Sequence, residues 1–172
     1  MAIVLELSDG TTTIDLTDTT KYRVDEKRGG PQFPTPDANP TWGGNNQFRD
    51  GADLVDLIYP NRDIVIPLHI LGATHDVLET NVQAVETLLG RGNAAQMQRH
   101  GAEVRLAYKL KNATNTYYYD ILLGQLKRGR VETIVLHERN YFMGCNIVLI
   151  CRPYAYGPIS GSHENYLGNP SF

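Results

Sequence analysis

The side chains of this sequence best suited to chemistry are five histidines, two cysteines and an acidic run. The histidines stand at positions 69, 75, 100, 137 and 163, scattered along the chain. A nucleophilic triad needs a serine or cysteine with a histidine base beside it, and no serine lies in a G-x-S-x-G turn. Cys145 and Cys151 fall on one predicted strand face, six residues and so roughly 20 Å apart. A disulfide needs Cα atoms within about 7 Å, so the two are expected as reduced, buried thiols of a protein assembled in a cytosol-like compartment. Zinc is held by Cys and His at close, fixed spacings, and neither C-x-x-C nor H-x3-H occurs. Asp50, Asp53 and Asp56 in "RDGADLVD" lack the D-x-D-x-D-G frame and closing glutamate of a calcium loop, and a solvated loop is expected there. "GGNN" and "GRGN" have no following Lys-Ser or Lys-Thr to cradle phosphate. The basic "KLK" (109–111) and "KRGR" (127–130) are short and sit at strand ends, as solvated turns do. No catalytic, cofactor-binding or metal-binding residue is assigned, and no enzyme activity is expected.

Whatever these residues do depends on the elements that carry them. The chain has 172 residues, 41% hydrophobic and 20% charged, with a net charge of −3. That is enough for one domain with a real core, and it gives no basic field for nucleic acid or an anionic membrane. The longest apolar run, Ile147 to Cys151, is strand-sized, far from the roughly 20 residues of a bilayer-spanning helix, so no membrane insertion is expected. "MAIVLELSDG" has no basic n-region or cleavage site, and reads as a strand rather than a secretory signal.

Period-two alternation dominates. Ile3, Leu5 and Leu7, the "SDG" turn, and Ile14 with Leu16 describe a hairpin, followed by a short strand over 21–27. From 28 to 60 the chain is rich in Gly, Pro and Asn yet carries Phe33, Trp42 and Phe48. A long structureless stretch is uncommon inside a compact domain, and an extended arm that docks on a neighbour is the expectation. Ile64, Ile66, Leu68 and Ile70 form one face of a strand apolar on both sides, with Pro67 suggesting an edge or a bulge. Thr74 is a helix N-cap, and Val77, Leu78, Val82, Val85, Leu88 and Leu89 recur at helical spacing as a core-facing stripe. Asn81, Gln83 and Glu86 take the wet side, and "GRGN" (90–93) ends the helix. Strands return after Gly101: Val104 to Leu110, Tyr117 to Leu123, Val131 to His137, and Met143 to Cys151. Turns are expected at 111–115, 124–130 and 138–144. Tyr117, Tyr118 and Tyr119 cannot share a face, and Tyr118 is placed at a subunit contact. "RPYAYGPISG" is an extended exit.

The order of these residues carries a resemblance. "RDIVIPLHILGATHDVLETNVQAVETLLGRG", then "VRLAYKL", "YYYDILLG" and "NIVLICRPYAYGP", resembles the N-terminal domain of distal tail proteins of long-tailed phages, related to their tail-tube proteins. The resemblance covers residues 1–160 and rests on order and spacing. It implies a mainly β fold with one flanking helix (α+β), an antiparallel β-sandwich of the tail-tube and distal-tail type with the 28–60 arm inserted. "SHENYLGNPSF" (from 162) is similar to a junction that opens an accessory β-domain, so 161–172 is an exit linker, expected to lead into a further C-terminal domain. The implied role is a virion structural protein of the baseplate hub. It forms a ring with copies of itself, a homohexamer, between the tail-tube protein and the tail hub or tip protein. DNA passes through its lumen unbound, past a neutral or acidic surface. Assembly takes place in the host cytoplasm, no cofactor is implied, and Phe33, Trp42, Phe48 and Tyr118 are the subunit-contact candidates. Two rival readings stand beside it: a tail-tube or tube-terminating ring subunit, and a carbohydrate-binding β-sandwich using Trp42 or the tyrosine run. The second leaves the amphipathic helix without a purpose.

Overall fold

The computed structural model of the chain describes residues 2–42, 54–98, 102–134 and 140–157. In chain order the elements are β1 (Ala2–Ser8), β2 (Thr13–Asp15), β3 (Tyr22–Val24), a 3-10 turn (Glu26–Arg28), β4 (Asn39–Trp42) and β5 (Leu54–Ile58). There follow β6 (Arg62–Gly72), α1 (His75–Gln98), β7 (Arg105–Leu110), β8 (Tyr117–Ile134) and β9 (Asn140–Cys151). Phe48, His100, His137 and the 161–172 linker lie outside the described residues.

Among the described residues seven strands join in the order β2-β1-β7-β8-β9-β6-β3, every pairing antiparallel, while β4 and β5 pair only with each other. β8 links two sheets. Its Tyr117–Asp120 portion pairs with β7, and from Ile121 onward it pairs with β9, with a register shift between Ile121 and Leu123. The architecture is an antiparallel β-sandwich, close to a barrel, with one helix against β8, β6 and β9.

One core fills the interior. Leu5, Leu7, Leu16 and Leu106 from one sheet join Ile64, Ile66, Leu68, Ile70, Ile147 and Leu149 from the other. Alternation explains the set: in β9 Met143, Cys145, Ile147, Leu149 and Cys151 are buried while Gly144, Asn146, Val148 and Ile150 between them are half-exposed. The second face of β6 is less buried than its sequence suggests, with Val65, His69 and Leu71 only half-covered. Pro67 lies in a strand with neighbours on both sides, but where β3 gives out. The Val65 and Leu71 amides bond toward Gln32 and Lys21, so alternation aims the proline nitrogen at the gap between β3 and Gln32.

The helix begins as its cap dictates, with the Val77 amide donating to Thr74 Oγ1 at 3.2 Å. Leu78, Val82, Val85, Leu88 and Leu89 are buried. Val77, expected on that stripe, is 44% exposed. Successive residues point about 100° apart, and in the first turn it is Leu78 that rests on Gly72. Asn81 leaves the expected wet side for the interior, where its Nδ2 donates to the Leu71 carbonyl at 2.8 Å. The helix also outruns its expected stop. A side chain at Gly92 would press into Val104, so this glycine serves close packing rather than termination. Asn93 then exchanges two hydrogen bonds with the Gly124 backbone, at 2.7 and 2.8 Å, which ties the last turns to β8.

The expected turn at 124–130 is absent because β9 offers an unbroken partner from Cys151 to Asn140. The ladder continues: Gly124 pairs with Leu149 under the helix residue Leu89, and Gly129 falls in a bulge between Arg128 and Val131. A Cβ on Gly129 would run into the Gly144 carbonyl. Arg128 bonds Glu86 at 2.5 and 2.6 Å and Glu79 at 3.1 Å, holding the outer side of the helix to β8.

Candidate assembly surface

The described parts of the 28–60 segment, 28–42 and 54–60, hold regular structure and contacts with the sandwich. Asp25 Oδ1 accepts from the Lys27 amide and starts the 3-10 turn, which ends at Gly29 with φ +92°. Gln32 then forms a two-way backbone bridge with Val65, at 2.8 and 3.3 Å. Phe33, expected on a neighbouring subunit, is half-buried on this chain's own Tyr108 and Tyr119, with ring centroids 4.3 and 5.7 Å away. Its bulk is used within the fold.

Beyond Phe33 the chain forms a two-stranded ribbon. Trp42 lies opposite Leu54 and Pro40 opposite Leu57, with a register shift between the two pairs. The shift takes up Val55, so Trp42, Pro40, Leu54 and Leu57 fall on one face. All four residues of β4 are exposed, Trp42 at 60%. Leu54, Leu57 and Ile58 of β5 are exposed as well. The "LVDLI" of β5 has no period-two alternation, and with aspartates around it the sequence points to a solvated loop where the structure has a strand. Asp56 caps the local backbone by accepting from the Leu57 amide, while Asp50 and Asp53 lie outside the described residues.

The sheets contribute further exposed apolar groups: Leu110, Tyr117 and Leu123. Tyr118, the other contact candidate, is half-buried and stacks on this chain's own Tyr156 at 5.7 Å. Tyr156 Oη donates to Asp120 Oδ1 at 2.8 Å, and burial with that carboxylate pushes the phenol above the usual tyrosine range. Burial likewise pushes the Cys145 and Cys151 thiols up to about 12, so both stay protonated and inert near neutral pH. Cys145 Sγ donates to the Leu68 carbonyl. His69 Nε2 stands 3.2 Å from Asp25 Oδ2. Among the described residues no group of three or more His, Cys, Asp or Glu is placed to hold a metal ion. No helix among them is long and apolar enough to cross a membrane.

No family model and no curated protein sequence matches the chain. A solved structure does. It is the SPP1 Dit (gp 19.1) protein, described as a paradigm of the hub adsorption apparatus in phages infecting Gram-positive bacteria. The likeness covers 90% of this chain with a TM-score of 0.51 and 18% identity. This chain has the fold of a phage distal tail protein. It spans about half of the phage protein's length, 53%. In this chain the helix directly follows β6, as the run from Arg62 to Gly92 suggests in sequence, and it packs on β8, β6 and β9.

Proposed function

We infer that this chain is a structural subunit of a phage tail tip: a distal tail protein of the baseplate hub, carried in the virion. Copies close into a ring, a hexamer, that joins the tail-tube protein to the hub or tip proteins and leaves a lumen for DNA. The observation that carries the reading is the distal-tail fold, matched over 90% of the chain. The exposed apolar ribbon supports it, because an isolated two-stranded hairpin is marginal in water and gains most by covering its apolar face. Trp42 and Leu54 are the anchors we assign to that contact, with a neighbouring copy as the partner. The role is mechanical and requires neither catalytic group nor cofactor.

Size in solution tests it. Mass photometry and negative-stain microscopy of the purified protein should give a closed ring with a central hole. A compact single-copy particle at high concentration overturns the reading.

A further inference from the structure

Three separate parts of the chain converge on Tyr118–Asp120, where β8 passes from one sheet to the other. The two stems of the ribbon segment meet at Tyr119. Phe33, at the start, stacks on its ring at 5.7 Å. Arg62, at the end, stands over the same ring at 5.3 Å, and its Nη1 donates to the Tyr119 hydroxyl at 3.2 Å. Tyr118 and Asp120 point the other way along the strand and hold the segment that follows β9. Tyr118 and Tyr156 exchange backbone hydrogen bonds at 2.9 and 3.0 Å, and the Arg152 amide donates to the Asp120 carbonyl at 3.1 Å. Arg105 lies over the Tyr156 ring at 5.8 Å, with its Nε 3.3 Å from Asp120 Oδ1. A direct contact closes the circuit: Tyr59, just past the ribbon, meets Tyr154 edge-on at 5.5 Å. Tyr118–Asp120 is paired with β7, and β8 changes partner to β9 immediately afterwards, with a register shift between Ile121 and Leu123, so this short stretch is the junction between the two ladders.

We propose that Tyr118–Asp120 and the Tyr59–Tyr154 contact couple the ribbon to the 152–157 segment, so that a neighbour engaging the ribbon tightens the hold on that segment and fixes the direction in which the chain leaves the sandwich. Movement of either ribbon stem displaces Tyr119, and the backbone of its two neighbours carries the exit. The last step, engagement by a neighbour, rests on the ring reading above; the coupling within one chain does not.

Amide hydrogen exchange of the full chain tests both parts separately. Tyr59→Ala and Phe33→Leu should speed exchange of the Arg152 and Tyr156 amides at least about fivefold, the lower end of a typical coupling between sites. By reciprocity, Tyr156→Phe should speed exchange at Gln32 and Val65. Arg128→Ala, which loosens the helix clamp on the far part of β8, should leave all four unchanged and serves as the control. Changes confined to each mutated contact overturn the coupling. Tyr59 is half-buried and Tyr154 exposed, so Tyr154→Ala repeats the test with little risk to folding. In the parent, ring formation should slow exchange at Tyr156. Rings without that slowing overturn the transmission while leaving the ring reading intact. If no ring forms, the ring reading fails and with it the role of the neighbour, and the single-chain exchange still decides the coupling.

Discussion

Val85 and Val77 lie on the same helix and have opposite surroundings, one wholly buried and the other 44% exposed. Val85→Asp would bury a charge with no partner, at a cost of several kcal/mol against a typical total of about 5–15 kcal/mol. Loss of the cooperative melt is expected. Val77→Asp adds an acid to the first helical turn, where the dipole favours it, and should shift stability by no more than about 0.5 kcal/mol. Thermal melts of the pair check the assignment of faces; equal melts would refute it. Asp9 is a second residue-scale case. Its Oδ1 accepts from the Thr12 amide at 2.6 Å and the Thr11 amide at 3.0 Å, and Arg91 stands 3.2 Å from Oδ2. The Thr12 amide foremost, then Thr11 and Arg91, outweigh burial and hold the carboxyl below its ordinary 3.8. A lowered folded value means stabilisation present above the unfolded value and lost as pH falls through the folded one. Asp9→Asn should therefore be less stable than the parent at pH 7, and the gap should close as pH falls below the carboxyl's ordinary 3.8 and on through its lowered folded value. Urea titrations at both ends of that range measure it, and a gap that persists in acid would point to packing instead of charge.

At the scale of elements, the ribbon and the helix show how far local pattern reaches. Asn39 and Ile58 are direct cross-strand partners, so their flanks lie close together. Excising 39–58 and closing the gap with two glycines spares Gln32, Phe33 and Arg62. The sandwich should keep its melting temperature within a few degrees, because the removed strands pair with no other strand among the described residues. A large drop in calorimetry would show that the ribbon supports the core. The helix stripe from Leu78 to Leu89 was plain in the spacing, and so was the Thr74 cap. Its continuation to Gln98 was not, because Gly90 and Gly92 look like a stop until Val104 and the Gly124 backbone are alongside. The β8 strand misled in the same way. Its glycines suggest a turn, and only the partner strand β9 reveals a bulge. Pattern reports intrinsic preference, whereas a paired or packed neighbour decides whether that preference prevails.

For the whole molecule, the consequence of the ribbon is assembly. If copies close into a ring through Trp42 and Leu54, the excised variant should stay folded yet lose the ring. Its particle mass would fall to that of a single chain under conditions where the parent assembles. Mass photometry of both proteins, side by side, gives the answer. Rings of the excised variant with unchanged stability would move the contact elsewhere, to the exposed groups of the sheets such as Tyr117 and Leu123.

By itself the sequence determined the fold class, the order in which β6, the helix and the later strands follow one another (though not the β4–β5 ribbon or the unbroken β8), the helix cap and most of the core, since alternation and helical spacing are properties of the chain read locally. It also carried enough of that order to point to the distal-tail family. Tertiary structure alone decided which aromatic went where. Phe33, Trp42 and Tyr118 are all large aromatics on paper, yet Phe33 found Tyr108 and Tyr119, Tyr118 found Tyr156, and Trp42 stayed on the surface. The reason is physical: burial depends on what long-range pairing brings alongside, and no local period encodes a partner dozens of residues away.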